Sequence, residues 1–443
     1  MKTKDQISRR DMLKSSAAVA AFTIVPRNVL GGQGHIPPSE KLNVAGIGVG
    51  GMGTGDIRQA ASQNVVALCD VDQRALARNA KVFPKAELYT DFRKMLETHK
   101  EIDAVMVATP DHNHAVVSLM AMKMGKHVHC QKPLTHSVYE ARLMYKTAKE
   151  AKVATQMGNQ GQASENARLI SETIWSGAIG TVREVHAGSN RFPPISPRGI
   201  ARPKGTPAVP SYLNWDLWLG GAAERPYHPT YHPFSWRGWW DFGTGVLGDI
   251  GCHQLSAVFK ALKLGHPASV EASSSNNQLK PEIANETAPG SSITRWHFPT
   301  EGDRAAVDIT WWDGGLKPPR PDELEPGRAF AEGDWLLVVG DKGKMYGHRI
   351  IPESRGKEIG KPPRVLSRSP GHYKEWFEAC KGGPAAGSDF VNHAAHLAEV
   401  VLLGNIAIRT NEKLLWDGPD MRFTNSEAAN QLINPPYRSG WEL

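Results

Sequence analysis

Hydrophobic positions run through this chain in two different rhythms. In its first third, short unbroken apolar runs alternate with stretches of helical period. The run L-N-V-A-G-I at 42–47 predicts a buried strand, and the glycines after it turn the chain into a helix beginning near Thr54. Apolar runs at 65–69, 102–108, 126–130 and 153–157 predict further strands. Between them, 72–83, 92–99 and 115–124 predict helices, and Ser137 with Glu140 forms the capping-box signature of another. Such alternation gives an α/β domain with a parallel, doubly wound sheet, which binds ligands beyond the carboxyl ends of its strands.

Beyond residue 163 the rhythm changes. A helix over 164–175 leads to strands at 182–189, 268–275, 293–298, 305–312 and 335–339. Val307, Ile309 and Trp311 alternate with Asp308, Thr310 and Trp312, the two-residue period of a sheet with unlike faces. Helices over 373–380 and 394–410 follow, with Leu397, Val400, Val401 and Ile406 marking a packed face. His393 and His396 are expected at the surface or an interface. An α+β domain over 164–443 thus follows the doubly wound domain over 41–163. Proline-rich stretches at 193–210 and 317–326 predict long surface loops.

Composition alters this picture mainly at the N-terminus. A chain of 443 residues, 40 % hydrophobic and 22 % charged, has ample material for a globular core. The formal charge is +7, but residues 1–39 hold six basic against two acidic side chains. The remaining excess is small and forms no basic stripe, which argues against nucleic acid as a partner. S-R-R-D-M-L-K at 8–14, ahead of a small apolar run at 15–25, fits a twin-arginine export signal. Residues 1–40 are read as that signal and an extended arm, and the periplasm or another exported location is expected. The run is too short for a stable membrane span. Cys69, Cys130, Cys252 and Cys380 lack C-x-x-C spacing and read as free thiols. No metal site is predicted: His228 and His232 each precede a proline, so they share no helical face.

Candidate chemistry begins at the first glycine turn. Gly48, Gly50 and Gly53 have the spacing G-x-G-x-x-G, which gives a tight turn, a close pyrophosphate approach and close helix packing; Gly51 and Met52 complete the loop. Asp70 ends the next strand, where a dinucleotide fold places the carboxylate that holds the ribose hydroxyls. A carboxylate repels a 2′-phosphate and so favours NAD, while Arg74 leaves NADP open. Later strand ends carry Thr109, Pro110 and His114 in T-P-D-H-N-H, then Gln131 and Lys132, all at the edge where a nicotinamide would lie. Asp249 and His253, four residues apart, lie about 40° apart around a helix. A histidine there can take an alcohol's proton, though on these residues alone a capping aspartate and a packed histidine are the simpler reading. The aromatic stretch at 227–241 suits a sugar, whose C–H faces pack on rings and whose hydroxyls need polar tips. Tyr231, His232, Trp236 and Arg237 are its candidates, with Asn159 and Gln160 as further wall.

The glycine loop, T-P-D-H-N-H at 109–114, G-K-H-V-H-C-Q-K-P at 125–133 and G-T-G-V-L-G-D-I-G-C-H at 243–253 together resemble the glucose–fructose oxidoreductase / inositol dehydrogenase / rhizopine catabolism family, over residues 41–443. The resemblance implies a large, mostly antiparallel sheet beside the dinucleotide domain, an NAD(P) cofactor, and Lys132, Asp249 and His253 as the catalytic, substrate-touching group. It also implies a homo-oligomer, dimer or tetramer, built through the outer face of that sheet. The implied reaction is oxidation or reduction of a hydroxyl of a sugar, sugar derivative or glycoside. Glycoside cleavage by transient oxidation, with the cofactor recycled, is the alternative, and a sugar sensor with a disused cofactor site is the third. Two residues depart from the family pattern. Gln131 stands where the family has glutamate, removing a negative charge beside Lys132, and Thr244 replaces a glycine.

Overall fold

Strand β1 (Asn43–Ile47) is buried from Val44 onward, and Gly48 turns the chain out of it with φ of +77°. The computed structural model describes residues 40–191 and 198–443. The leader, nearly all of the arm and part of the 193–210 loop lie outside the described residues.

Helix α1 (Gly51–Gln59) starts earlier than Thr54 because Gly50 takes the capping position. The alternation then continues through β2 (Asn64–Cys69), α2 (Gln73–Ala80), β3 (Glu87–Tyr89), α3 (Phe92–Thr98), β4 (Ala104–Val107) and α4 (His114–Lys123). It closes with β5 (His127–Cys130), α5 (Val138–Ala151) and β6 (Thr155–Met157). Local chemistry starts these helices: Asp72 and Asp91 accept from the backbone N–H groups of Arg74 and Arg93, and Ser137 with Glu140 closes a capping box. The strands form a parallel six-stranded sheet in the order β3-β2-β1-β4-β5-β6. That order reverses between β1 and β4, where a doubly wound sheet opens its binding crevice. Strand β3 was not expected, since E-L-Y is short and largely exposed.

The second sheet follows α6 (Glu165–Trp175). Its strands are β7 (Val182–Ser189), β8 (Ser269–Ser274), β9 (Ser292–Phe298), β10 (Val307–Asp313), β11 (Asp334–Gly340), β12 (Lys344–Tyr346), β13 (Arg349–Ile351), β14 (Leu414–Asp417) and β15 (Arg422–Phe423). They run in the order β13-β12-β11-β7-β10-β9-β8-β14-β15, antiparallel throughout except for the parallel pair β7–β10. The period read at 307–312 holds in part: Val307, Ile309 and Trp311 are buried in the core and Asp308 and Trp312 half-buried, but Thr310, expected with the latter two, is buried as well. Helices α7 (Gly245–Gln254), α8 (Ser256–Leu262) and α9 (Ala395–Thr410) pack with α6 between the two sheets.

Helix α9 corrects one expectation. It is buried nearly all round, so its sequence has no polar face to betray its orientation. His393 lies buried 2.8 Å from the Ser256 hydroxyl, and the His396 ring nitrogen Nε2 donates to the Gly265 carbonyl at 2.8 Å. His393 is thus a buried residue, and His396 is half-buried with its ring tied inward. Among the described residues, Phe390–Thr410 is the segment long and apolar enough to cross a membrane, and it is this core helix. One continuous apolar cluster runs from β1 through α9 to the second sheet.

Candidate active site

A crevice of about 640 Å³ opens where β1 and β4 diverge. One wall is made by strand ends of the first domain, including Gly50, Met52, Asp70, Thr109, Pro110 and Lys132. The other is made by the second domain, including Trp218, His232, Phe234, Trp236, Arg237 and Asp249.

The glycines divide by purpose. A Cβ on Gly48 would lie 2.7 Å from the backbone of Ala108 and Thr109, and one on Gly53 would lie 1.8 Å from the Gly48 carbonyl oxygen. The fold itself needs both, and Gly53 serves packing rather than cofactor contact. Gly50 differs, because a Cβ there meets only Ala75 and Asp70 at 3.5 Å, an ordinary contact. The space beside it is left for a ligand, as a pyrophosphate requires. Asp70 accepts from the N–H groups of Gly50 (2.9 Å) and Asp72 (2.8 Å), while burial pushes its carboxyl up to about 6. The Thr109 hydroxyl is buried without a hydrogen-bond partner among the described residues. Arg74 grips both oxygens of Asp72 and lies 3.5 Å over the Tyr212 ring, so its charge is already engaged. Open space, a ribose-side carboxylate and a spare hydroxyl fit a dinucleotide, and the engaged arginine fits NAD better than NADP. His114 lines the same wall, its ring held 2.7 Å from the Pro133 carbonyl oxygen and 2.8 Å from that of Thr109.

At the inner end the domains meet. Lys132 Nζ donates to Asp249 Oδ1 at 2.5 Å and to the Asp249 carbonyl at 3.0 Å. Arg237 Nε approaches the same carboxylate oxygen at 3.4 Å, its guanidinium lying 4.3 Å from the Phe234 ring and 4.2 Å from the Trp236 ring. Burial opposes ionisation of Asp249, but the charges of Lys132 and Arg237 outweigh it and hold the carboxyl below its usual range. His253 follows one turn along α7, within the field of Lys132 and Asp249 but hydrogen-bonded to neither, and outside the crevice wall. Burial, then the Lys132 charge, pushes it down to about 4, so the ring is neutral near pH 7.

Three predicted wall residues, Asn159, Tyr231 and Gln160, lie off the wall, and a fourth, His232, lines another part of it. Asn159 is fully buried beneath α7, donating to the Ser256 hydroxyl at 3.0 Å. Tyr231 is buried among Trp215, Trp239 and Phe242, its hydroxyl accepting from Arg225 at 3.3 Å. Both sit behind the wall because packing takes their rings and amides inward. His232 does line the crevice, but 3.8 Å from Asp72, on the side of Asp70 rather than beside Asp249. Gln160 donates to the Tyr373 hydroxyl at 3.4 Å and also lies off the wall.

Gln131 has a partner that sequence reasoning missed. Its Nε2 donates to Asp56 Oδ2 at 2.8 Å, and Tyr373 donates to Asp56 Oδ1 at 2.6 Å. A carboxylate therefore stands one side chain behind Lys132, and a glutamate at 131 would confront it with a like charge. Asp111 and Thr244 were also missed, although one lies inside the T-P-D-H-N-H loop and the other is the residue that breaks the glycine pattern. No period or spacing marks Asp56.

A doubly wound domain whose crevice is completed by an α+β domain, with a lysine–carboxylate pair across the seam, defines a dinucleotide-binding class of two-domain protein. The oxidoreductase family model for an NAD-binding Rossmann fold matches residues 42–159, and that family's C-terminal α/β model matches 202–285 and 372–443; the chain belongs to this Gfo/Idh/MocA oxidoreductase family. Levoglucosan dehydrogenase of Pseudarthrobacter phenanthrenivorans is 26 % identical over 190 residues, 42 % of this chain and 40 % of that protein. A glycosyl hydrolase family 109 protein of Stenotrophomonas maltophilia is 32 % identical over 138 residues, 28 % of this chain and 29 % of that one. The chain thus spans less than half the length of these curated relatives. In fold it is similar to the WlbA dehydrogenase of Bordetella pertussis, solved with NADH and UDP-GlcNAcA, at TM-score 0.59 and 16 % identity over 85 % of this chain and 99 % of that one.

Proposed function

We propose that this protein is an NAD-dependent oxidoreductase that oxidises or reduces a hydroxyl-bearing carbon of a sugar, sugar derivative or glycoside. The observation that carries this reading is the meeting of Lys132 and Asp249, from different domains, at the inner end of a crevice with an open glycine turn. When bound, NAD supplies the two-electron acceptor or donor. Lys132 donates a hydrogen bond to the reacting oxygen, and Asp249 fixes that ammonium while accepting a neighbouring hydroxyl. His253, uncharged near neutral pH, stands one turn past the crevice wall, so it takes the hydroxyl proton only from a substrate that extends beyond Asp249 along α7, where Asp249 stabilises the imidazolium. Trp236 and Arg237 present an aromatic face and a donor to the sugar. The name of the levoglucosan dehydrogenase relative supports a carbohydrate substrate.

Export by the twin-arginine route belongs to this proposal, supported by Arg9 and Arg10 ahead of the small apolar run. So does assembly into a dimer or tetramer through the outer face of the second sheet, where Trp312 and His186 are half-buried. The test is to incubate the purified protein with NAD and a panel of free sugars, sugar acids and glycosides, following reduced nicotinamide by absorbance and released sugar by chromatography. Net reduction is expected. Released sugar without net reduction would assign redox-assisted cleavage instead, and neither signal with any class would overturn the proposal.

A further inference from the structure

We infer that the hydrogen bond between Thr244 and Asp111 is a latch that fixes the start of α7 against the first domain and so seats Asp249 on Lys132. The Thr244 hydroxyl donates to Asp111 Oδ2 at 2.8 Å, and both residues are 2 % exposed. Asp111 stands between β4 and α4 of the first domain, and Thr244 caps α7 of the second, five residues before Asp249. The cap is held from the other side as well, because Asn405 Nδ2 on α9 donates to the Thr244 carbonyl at 2.9 Å.

The sequence makes room for this contact. A Cβ at Gly248 would lie 1.9 Å from Thr244 Oγ1, so the hydroxyl occupies space that only a glycine one turn along leaves open. The Asp111 carboxyl belongs to the same charge cluster as the reacting pair. Burial pushes it up to about 7, against the Thr244 bond and the charges of Arg237 and Lys132, with Asp249 adding to the rise. Neither Asp111 nor Thr244 lines the crevice. They are positioning residues, acting through the placement of α7.

The latch rests on the oxidoreductase reading for its effect on turnover but not for its effect on Lys132, and the experiment reads the two separately. Brief acetylation of the NAD-free protein with acetic anhydride, read by mass spectrometry, reports how firmly the Lys132 amine is held, with exposed Lys374 as internal standard. In T244V and D111A, labelling of Lys132 relative to Lys374 is expected to rise about fivefold as the α7 start opens locally. T244S, which keeps the hydroxyl, restores the wild-type rate, and the double variant T244V/D111A is no worse than either single one. With any sugar that is turned over, kcat falls about tenfold in T244V while the dissociation constant for NAD holds. Wild-type labelling in T244V, an equal rise at every lysine, or failure of T244S to restore would overturn the latch. If D111A does not fold, T244V and T244S decide alone. Absence of turnover with every sugar would count against the proposed function and leave the labelling result standing.

Discussion

The two walls of the crevice are built by opposite means. On the first wall, Gly50, Asp70, Thr109 and Lys132 each leave the end of a parallel strand, so strand spacing alone sets their place. On the second wall, the stretch from 212 to 249 has little regular structure and is fixed by distant partners. Arg225 ties Asp241, Glu286 and Tyr231 together, and Trp215 stacks on Trp218 at 4.6 Å. Position in the chain predicts contact on the first wall only. Tyr231 and Trp236 lie five residues apart in one buried aromatic cluster, yet only Trp236 also presents an edge to the crevice.

Breaking the pair that joins the walls should have the largest effect. Lys132→Met is expected to lower turnover by about 10³-fold, within the range for a lost acid–base group, while NAD titration by fluorescence stays near wild type. The glycines of the first wall sharpen the contrast between ligand space and fold. Gly50→Ala is expected to weaken NAD binding about 100-fold, roughly 2.7 kcal/mol, without changing the melting temperature of the NAD-free protein. Gly53→Ala should destabilise the fold itself by about 3 kcal/mol in urea unfolding, since its Cβ has no room.

Acid should loosen both walls together. Burial lowers eight histidines, at 112, 114, 129, 136, 232, 253, 372 and 393, to about 3 or 4. Unfolded, each takes up its proton near its ordinary value, so between that value and about pH 4 the unfolded chain binds more protons and stability falls as pH falls. Asp70, Asp111, Glu140 and Asp313, raised to about 6 or 7, act in the opposite sense and offset part of the loss. The melting temperature is expected to drop by roughly 10 °C from about pH 7 to pH 5.

Smaller effects test individual residues. Gln131→Glu should cut turnover about tenfold by setting two carboxylates together behind Lys132, and adding Asp56→Asn should restore most of it. On the second wall, Trp236→Ala should raise KM several-fold, whereas Tyr231→Phe should leave KM unchanged and cost only about 1 kcal/mol of stability. Equal effects of these two would contradict the division between wall and core.

Much of the first domain was legible because its information is local. A strand, a glycine turn and a capping residue lie within a few positions of one another, and Lys132 and Asp70 inherit their places from strands that the apolar runs mark. The pairing of Asp249 with Lys132 came into view only through the family resemblance, since 117 residues separate them. Asn159 and His393 were misjudged for one reason: polar groups that satisfy each other inside a core look, in sequence, like polar groups that face a ligand or solvent. Both end in one network around the Ser256 hydroxyl. Asp111, Thr244 and Asp56 carry no period, so only the packed fold reveals their partners.

The single apolar core that crosses from β1 through α9 to the second sheet bears on how the protein comes apart. A hinge needs a seam of weak contacts, and this seam is filled with leucines, valines and tryptophans. Neither half can melt without stripping cover from the other, so calorimetry should record one transition for both halves. Under the proposed function, choice of substrate then falls to side-chain fit at the crevice mouth rather than to a swinging lobe.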